Sequence, residues 1–369
     1  MQDIFYQVAL SLVPGVGTRS ARQLLTHCGS AKEIFNTHAG RLKKIPNIRD
    51  SIAVAVQDPA LLRKAEAIIK QAEQYEICIA FLTDALYPKR LKEIPDAPLI
   101  IYHKGSIDLN AQKIIGIVGT RKATTYGKDC LVRIIAELSI WNPIIVSGLA
   151  YGIDITAHKI SLELGLNTVG VLGSGIQKIY PEEHRHIAKA MCQQGALVSE
   201  YQPDAKAEIY HFPARNRIIA GLCDGILVAE AAEKGGALIT AELANSYNRE
   251  VMAIPGSLQF NTSIGCHNLI KNNQAHLITS GNDIASLLNW DINMPTSSKF
   301  KLRDDTLLEA LSEEERILYA IIEKNEGIQI DELSWQSNIH ISKTSNLLLQ
   351  MEMQGLIKMM TGKKIKITL

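Results

Sequence analysis

Short apolar runs rich in β-branched residues alternate with helical patterns through the middle of the chain. Six of these runs end in a polar or glycine-rich turn, and they cover residues 114–119, 144–148, 168–173, 196–200, 225–229 and 251–255. Continuous apolar strands that alternate with helices are typical of a parallel sheet covered on both faces. The pattern therefore predicts an α/β fold with an extended Rossmann-like, doubly wound parallel sheet.

The predicted sheet domain covers residues 75–290 and extends beyond these six strands. A proline-rich lead-in precedes an apolar run at 99–102, which is interpreted as an extra edge strand. After the sixth strand the pattern predicts a helix over 265–271, a strand over 275–279 and a closing helix over 283–289. The sheet is thus expected to carry extensions at both ends.

Residues 1–74 are helical in pattern throughout and predict a separate domain of the helix-hairpin-helix or SAM-like kind. Its mark is Pro14-Gly15-Val16-Gly17 between two helical segments, and 45–48 is a degraded copy without glycines. The free N–H groups of such a turn can hold a DNA phosphate without contacting bases. The alternative is a helical bundle that uses the turn only for packing.

Residues 291–305 are polar and lack periodicity, which predicts a linker to a third domain over 306–369. Ser312 and Glu315 have the spacing of a capping box that opens a helix to about residue 324. Further helices are expected over 331–336 and 342–354, and two strands around residues 361–362. Three helices and a hairpin predict a winged helix.

Charge on the predicted winged helix is concentrated in its hairpin. The basic residues there are Lys358, Lys363, Lys364 and Lys366. The helix over 342–354 carries one basic residue, Lys343, whereas a sequence-specific DNA reader normally presents several base-reading side chains. A protein-docking or auxiliary role is therefore at least as well supported as base recognition.

Bulk properties narrow the class of protein. The 369 residues are 46% hydrophobic and 21% charged with a net charge of +1, which is typical of a globular protein of two or three domains. No apolar run reaches the roughly 18 residues of a membrane span, and no signal-peptide pattern is visible. Six single cysteines without C-x-x-C favour a reducing compartment over a zinc site or disulfides. We expect a cytoplasmic protein without metal or cofactor.

Candidate ligand-binding residues follow the predicted strands, because open parallel sheets bind ligands outside the carboxyl ends of their strands. Small residues there let backbone N–H groups approach an anion, and neighbouring cations add charge. The candidates are Gly119, Thr120, Arg121, Lys122 and Thr124 after the first strand, Ser147 and Gly148, Gly173, Ser174 and Gly175, and Lys234, Gly235 and Gly236. The expected ligand is a phosphate or a polyphosphate chain.

The densest cluster of candidates lies between the fourth predicted strand and the following helix. It contains Phe212, Arg215, Asn216 and Arg217. Arginines bind phosphate through their planar fork, and an aromatic ring stacks on a base with little sequence preference. The alternative is a helix start whose arginines pair with acids such as Glu200 or Glu230.

Familiar nucleotide motifs are missing from the sequence. Gly173-Ser174-Gly175 lacks the third glycine of G-x-G-x-x-G, and no G-x-x-x-x-G-K-[ST] occurs. A redox enzyme or a nucleotide triphosphatase is therefore not expected. Asp154 and His158, four residues apart on one predicted helix, are expected to make a hydrogen bond from helix to sheet.

The sequence resembles the DNA-processing protein A (DprA/Smf) family over about 200 residues. The matching motifs are 118–121 with 124–127, 147–154 with 157–158, 172–175 with 180–181, 212–221, 236–241 and 254–257. The resemblance implies a non-enzymatic protein that binds single-stranded DNA, protects incoming strands during natural transformation and helps to load the RecA recombinase. It also implies a homodimer through the sheet domain.

The same resemblance implies roles for individual residues. Gly119, Thr120, Arg121 and Thr124 correspond to the family's phosphate turn, and 212–217 to its aromatic and arginine segment. Two departures are visible: Gly235-Gly236-Ala237 stands where many members have Ser-Gly-Ser, and Ile209 where many have a lysine, for which Lys206 is a candidate substitute.

Two other functions stay open at this point. The segment 235–242, with two glycines, Thr240 and Glu242, is similar to that of nucleotide-acting phosphoribohydrolases of a related fold, although a proline and a third glycine are missing. A transcription regulator acting through the winged helix is the other, and the single basic residue of the helix over 342–354 weighs against it.

Overall fold

The computed structural model describes residues 2–290, 311–325, 327–353, 356–360 and 364–367. The chain divides into two compact units, 1–292 and 293–369. The predicted linker over 291–305 lies outside the described residues. The division of the first unit into a helical domain and a sheet domain at residue 74 stays a prediction.

Six helices open the first unit. They are α1 (Gln2–Ser11), α2 (Thr18–Cys28), α3 (Ala31–Asn36), α4 (Ala39–Leu42), α5 (Asp50–Ala55) and α6 (Pro59–Gln74). The predicted hairpin between α1 and α2 is present, and Gly15 takes a left-handed conformation there (φ 80°). In the turn before α5, Asn47 does the same (φ 61°) without a glycine. Asparagine tolerates this conformation better than most residues, so the second turn forms although its glycines are absent.

A nine-stranded sheet forms the centre of this unit. Its strands are β1 (Cys78–Phe81), β2 (Ile100–Gly105), β3 (Ile114–Gly119), β4 (Ile144–Ser147), β5 (Thr168–Val171), β6 (Gly195–Ser199), β7 (Gly225–Glu230), β8 (Glu250–Ala253) and β9 (His276–Leu277). The order across the sheet is β1-β2-β6-β5-β4-β3-β7-β8-β9. Strands β3 to β9 pair in parallel, and β2 pairs antiparallel with both β1 and β6.

The six predicted core strands and the doubly wound parallel arrangement are confirmed. The prediction that 99–102 forms the edge strand is wrong, because β1 pairs outside β2 and is itself the edge. That strand is only four residues long, with Cys78 exposed and Ala80 and Phe81 buried, and it lies in the apolar run 77–82, which the prediction did not use. A short, partly exposed edge strand also leaves few backbone groups open to unwanted pairing.

Eight further helices surround the sheet. They are α7 (Lys89–Glu93), α8 (Thr125–Leu138), α9 (Ile153–Glu163), α10 (Arg185–Gln193), α11 (His211–Leu222), α12 (Gly236–Ser246), α13 (Ile264–Lys271) and α14 (Gly281–Leu287). Alternate residues of β3 enter two different cores: Ile114 and Val118 pack in one, Ile115 and Ile117 in the other. Because successive strand residues point to opposite faces, this division shows that both faces of the sheet are covered.

The second unit has the predicted three helices and hairpin, with one strand more. Its elements are α15 (Glu313–Lys324), β10 (Ile328–Gln329), α16 (Ile330–Ser337), α17 (Ile341–Met353), β11 (Ile357–Met360) and β12 (Lys364–Ile367). The capping box at the start of α15 is confirmed, because Ser312 and Glu315 bond each other's backbone N–H groups. Strand order β10-β12-β11 and a separate apolar core complete the winged helix.

Candidate functional site

A cavity of about 530 Å³ opens at the carboxyl ends of β3 and β7. These strands are neighbours, yet the chain runs from β3 to one side of the sheet and from β7 to the other. Loops that leave such a switch point diverge and leave a crevice between them, which is where doubly wound sheets bind ligands. We call this crevice the switch-point cavity.

The turn after β3 forms one wall of the cavity and carries an exposed arginine. The Thr120 N–H donates to the Glu230 carbonyl at 2.7 Å, which holds the turn against β7. Gly152 lies behind it, where a Cβ atom would come within 2.2 Å of the Thr120 carbonyl oxygen. Arg121 projects from the turn, and it has no acidic partner among the described residues. A guanidinium with no competing carboxylate is free to bind an anion.

Not every residue of this turn faces the cavity. Thr124 caps α8: its hydroxyl accepts from the Gly127 N–H at 3.1 Å, and its own N–H donates to the Glu230 carboxylate at 2.9 Å. Lys122 is exposed but lies outside the cavity lining. The turn therefore presents Gly119, Thr120 and Arg121 to a ligand in the cavity, and Thr124 supports them.

The opposite wall is the loop that leads into α12. Lys234 and Gly235 are exposed there, and Gly236 begins the helix without a side-chain cap. The Asn216 amide donates to the Gly236 carbonyl at 3.2 Å and ties α12 to α11. Because the first N–H groups of a helix lack intrahelical acceptors, this wall adds backbone donors and one lysine to the cavity.

Aromatic side chains close the mouth of the cavity. The guanidinium carbon of Arg121 lies 5.9 Å from the centre of the Phe212 ring, and the centre of the Tyr180 ring lies 5.4 Å from the same ring centre. Tyr180 is 52% exposed. The sequence indicated Tyr180 only as part of a family motif, because Tyr180 lies 32 residues before Phe212 in the chain.

Arg215, predicted to bind phosphate, is instead locked inside the protein. It is buried, and its Nη1 donates to the carbonyls of Gly148, at 2.7 Å, and Val171. Burial lowers the pKa of Arg215 to about 10, so the group stays charged at neutral pH. Because one arm of its fork is committed to two carbonyl groups, Arg215 supports the floor of the cavity and does not offer a bidentate phosphate site.

Arg217 does not lie beside Arg121, although the sequence predicted that both would bind phosphate at one site. It forms a largely buried ion pair with Glu200 and lines a different cavity from Arg121. On α11 it lies one residue beyond Asn216, so it points about 100° away around the helix. The alternative of arginine pairing with Glu200 is thus correct for Arg217, whereas Glu230 bonds backbone N–H groups of the β3 turn.

The glycine and serine turns after β4 and β5 are structural. The Ser147 hydroxyl donates to the Ile117 carbonyl at 2.6 Å, and a Cβ atom on Gly148 would meet the Arg215 guanidinium at 2.4 Å. Ser174 is buried and its hydroxyl donates to the Lys178 carbonyl. The hydroxyl protons of Ser147 and Ser174 are thus used inside the fold, and a ligand contact by these two residues stays a prediction.

Gly173 and Gly175 serve the same packing. A Cβ atom on Gly175 would lie 2.1 Å from the Gln202 carbonyl oxygen, and one on Gly173 would lie 3.0 Å from the Phe212 ring. These glycines let the 202–205 loop and the aromatic ring approach the strand ends. Gly148, Gly173 and Gly175 thus shape the site from behind.

A buried polar group supports this floor. The Asp154 carboxylate accepts from the Gly148 N–H at 3.2 Å, and burial raises the pKa of Asp154 despite the nearby charge of Arg215. The His158 Nδ1 lies 2.7 Å from the Thr168 hydroxyl on β5, which confirms the predicted bond from helix to sheet. Burial lowers the pKa of His158 to about 3. This histidine is therefore neutral and structural at physiological pH.

The departures from the family pattern also have a place in the structure. Ile209 lines the switch-point cavity and is 89% exposed, whereas Lys206 is not among the lining residues. Glu242, which the enzyme alternative would use, is exposed and also outside the lining. Of the described residues that line the cavity, Asp154 is the only acid, and its carboxylate bonds backbone N–H groups.

Two further features of the described residues concern metal binding and membrane insertion. No group of three or more His, Cys, Asp and Glu side chains is placed to hold a metal ion in that part of the chain. No helix over the same residues is long and apolar enough to cross a membrane.

Comparison with known proteins places the chain in a family. The family model "DNA recombination-mediator protein A" matches residues 78–289, and a "DprA winged helix domain" model matches residues 303–363. The chain belongs to the DNA processing protein A family. The matched segment contains the whole switch-point cavity as well as the sheet.

Individual members of the DNA processing protein A family are similar over different shares of their length. The DprA protein of Streptococcus pneumoniae is 42% identical over 203 residues, which are 55% of this chain and 71% of the relative. Protein Smf of Synechocystis is 42% identical over 213 residues, which are 56% and 54%. The putative DprA of Mycobacterium tuberculosis is 29% identical over 328 residues, which are 88% and 82%.

Solved structures of the family have the same fold. The crystal structure of DprA from Streptococcus pneumoniae is 33% identical with a TM-score of 0.63, covering 76% of this chain and 97% of that one. DprA from Helicobacter pylori, studied for its single-stranded DNA binding mode, is 28% identical with a TM-score of 0.52 and coverages of 57% and 95%.

Proposed function

We propose that the protein binds single-stranded DNA in the switch-point cavity and acts as a recombination mediator. The observation that carries the proposal is Arg121, exposed and without an acidic partner among the described residues, beside the ring of Phe212 at the cavity mouth. A cation next to an aromatic ring can bind an unpaired strand, because the phosphates of the strand bind cations and its bases stack on aromatic rings. The related protein from Helicobacter pylori is described as binding single-stranded DNA.

The site suits backbone contacts better than base recognition. Its proposed phosphate ligands are Arg121, Lys234, the Thr120 hydroxyl and the N–H groups of Gly119, Gly235 and Gly236. Phosphate contacts carry no sequence information, and stacking on Phe212 tolerates every base. Lys122 adds charge outside the cavity, and Asn216 orients the start of α12.

The wider role rests on membership of the family. We propose that the protein protects incoming single strands during natural transformation, helps to load RecA and acts in the cytoplasm as a homodimer through its sheet domain. A binding role without catalysis agrees with the cavity lining. Among the described residues that line the cavity, Asp154 is the one acid, and backbone N–H groups bond its carboxylate.

The direct test is Arg121→Ala, measured by fluorescence anisotropy with oligo-dT. Because hydrogen bonds to charged groups contribute about 1.5–3 kcal/mol, we expect the affinity to fall by about tenfold or more. The plot of log affinity against log salt concentration should also become less steep by about 0.7, the value for one phosphate contact on a single strand.

Arg63→Ala is the matched control, since Arg63 is an exposed arginine on α6, outside the cavity. It should leave affinity and salt slope unchanged. Equal oligo-dT affinity of the Arg121→Ala variant and the parent protein would rule out this cavity as the binding site.

A further inference from the structure

A second, larger cavity of about 740 Å³ lies where the N-terminal helices meet the sheet. Both turns that the sequence singled out in the helical segment line it: Gly15 and Gly17 come from the first hairpin, Asn47 comes from the degraded copy, and Arg49 follows that copy. Neither turn contributes to the switch-point cavity. We call this second space the hairpin cavity.

The walls of the hairpin cavity are held together by hydrogen bonds between the helical segment and the sheet. The Thr18 hydroxyl donates to the Ala97 carbonyl, and Arg22 donates to the Lys92 carbonyl at 2.8 Å. Tyr87 is buried and donates to the Pro98 carbonyl at 2.6 Å, which secures the lead-in to β2. The cavity is therefore a feature of one packed unit.

Positive charge predominates in the hairpin cavity. It is lined by three arginines, Arg19, Arg49 and Arg217, against two acids, Asp96 and Glu200, which leaves one net positive charge. Glu200 neutralises Arg217 in the ion pair described above. Arg19 and Arg49 are exposed and have no acidic partner among the described residues. The N–H groups of Thr18 and Arg19 open α2 and precede Ala21, the first residue whose N–H donates within the helix, so they add donors beside these cations.

The two cavities open at the same end of the sheet. Glu200 and Gln202 follow the carboxyl end of β6, and Ile100 begins β2, which is antiparallel to β6. The switch-point cavity lies at the carboxyl end of β3. In the sheet order β6-β5-β4-β3, three strand spacings separate them, or about 14 Å at about 4.8 Å per strand. Helix α11 lies between them, with Phe212 on one side and Arg217 on the other.

We propose that the hairpin cavity is a second phosphate site for the same single strand that occupies the switch-point cavity. Arg19 and Arg49 hold the phosphates there, and the strand passes along the end of the sheet from one cavity to the other. This inference rests on the proposed function, because it assumes that the first cavity binds an unpaired strand. It predicts that the hairpin cavity contributes to the affinity only for longer strands, since a short oligomer can fill only one cavity.

The test compares Arg19→Ala/Arg49→Ala with the parent protein across oligo-dT lengths. Lengths from about 4 to about 16 nucleotides span the site sizes of known single-strand-binding folds. The double variant should match the parent on the shortest oligomer and bind the longest about tenfold more weakly. On the longest oligomer its salt slope should be smaller by about 1.4, which corresponds to two phosphate contacts.

The matched control is Arg41→Ala/Arg63→Ala, which removes two exposed arginines of the same helical segment from outside the cavity. It should behave as the parent protein at every length, and thermal unfolding should show that both double variants are folded. An equal loss of long-oligomer affinity in the control would overturn the second site, because the effect would then be one of general charge.

Failure of the second site and failure of the proposed function give different results. If Arg121→Ala weakens every length and Arg19→Ala/Arg49→Ala weakens none, the first cavity stands and the second is refuted. If Arg121→Ala has no effect at any length, the proposed function fails, and the inference that rests on it fails with it.

Discussion

The turn after β3 and the start of α11 both place arginine beside small or aromatic residues. In the folded protein the arginines of these two segments have opposite environments. Arg121 of the turn is exposed and lies against Phe212. Arg215 and Arg217 of the helix are enclosed, one by backbone carbonyls and one by Glu200. The difference shows that the availability of a guanidinium depends on which acceptors the neighbouring strands bring to it.

The enclosed arginines belong to the support of the site. Arg215 joins the ends of β4 and β5 through the carbonyls of Gly148 and Val171, and so fixes the floor of the switch-point cavity. Arg217 and Glu200 lie on the far side of α11. A cavity that binds a flexible polymer needs rigid walls, because a preformed site does not have to be ordered on binding.

The largest expected effect that tests this contrast is on stability. Arg215→Ala removes the donor to two buried carbonyl groups and leaves Asp154 without a neighbouring positive charge. Breaking such a buried arrangement typically costs about 3–5 kcal/mol of the free energy of unfolding. Chemical denaturation monitored by circular dichroism measures it.

Arg121→Ala provides the reference for that measurement, since exposed substitutions usually change the free energy of unfolding by no more than about 0.5 kcal/mol. Similar denaturation curves for Arg215→Ala and Arg121→Ala would contradict the assignment of Arg215 to the structural floor.

Phe212→Ala is expected to weaken DNA binding by a smaller free energy than Arg215→Ala removes from stability. Stacking of a base on an aromatic side chain contributes about 1–3 kcal/mol, so the affinity for oligo-dT should fall by between about fivefold and about 150-fold. An abasic oligomer of equal length, which offers phosphates and no base, should bind the variant and the parent protein equally.

Phe212→Tyr serves as the control, because it keeps the ring and should keep the affinity for oligo-dT. If Phe212→Ala lost as much affinity for the abasic strand as for oligo-dT, the ring would be supporting the cavity and not stacking on a base.

The effect that is smallest within one pH unit is a pH dependence of stability from the buried floor. Burial lowers the pKa of His158 from 6.5 to about 3 in the folded protein, so below pH 6.5 the unfolded chain takes up a proton that the folded chain refuses. The contribution of this histidine to stability is therefore complete above pH 6.5 and lost as the pH falls toward 3. The loss is about 1.4 kcal/mol per pH unit.

His158→Gln isolates this contribution. Asp154 is present in both proteins, so its own titration largely cancels in the comparison. The difference in free energy of unfolding between the parent protein and the variant should narrow as the pH falls below 6.5, and stay constant above it. A difference that does not change with pH would show that the folded protein binds the proton as readily as the unfolded chain.

Much of the architecture could be predicted from pattern. The apolar runs gave the six core strands, because a strand covered on both faces must be apolar throughout. The capping box at Ser312 and the glycine turn before α2 were also predicted correctly, since local backbone needs select those residues. Strand β1 was missed although residues 77–82 form an unbroken apolar run, a signal that could have found it.

The candidate site was predicted less completely. Gly119, Thr120, Arg121, Phe212, Asn216, Lys234, Gly235 and Gly236 do come together at one cavity, as loops from a switch point must. Whether DNA binds there is still a prediction. The serines after β4 and β5 and the two α11 arginines were grouped with them because their chemistry suits phosphate, although their partners lie inside the protein.

Residue order alone determined the six core strands, their parallel arrangement and the edge of the sheet that carries the loops, because local requirements of the backbone select the residues of each element. Residue order did not determine the fate of each polar group, because a hydrogen bond or ion pair depends on atoms that only folding brings within reach. Glu200 reaches Arg217 across 17 residues and the Gly148 carbonyl reaches Arg215 across 67. Those distant partners decided that Arg121 is the arginine left open to a ligand at the switch-point cavity.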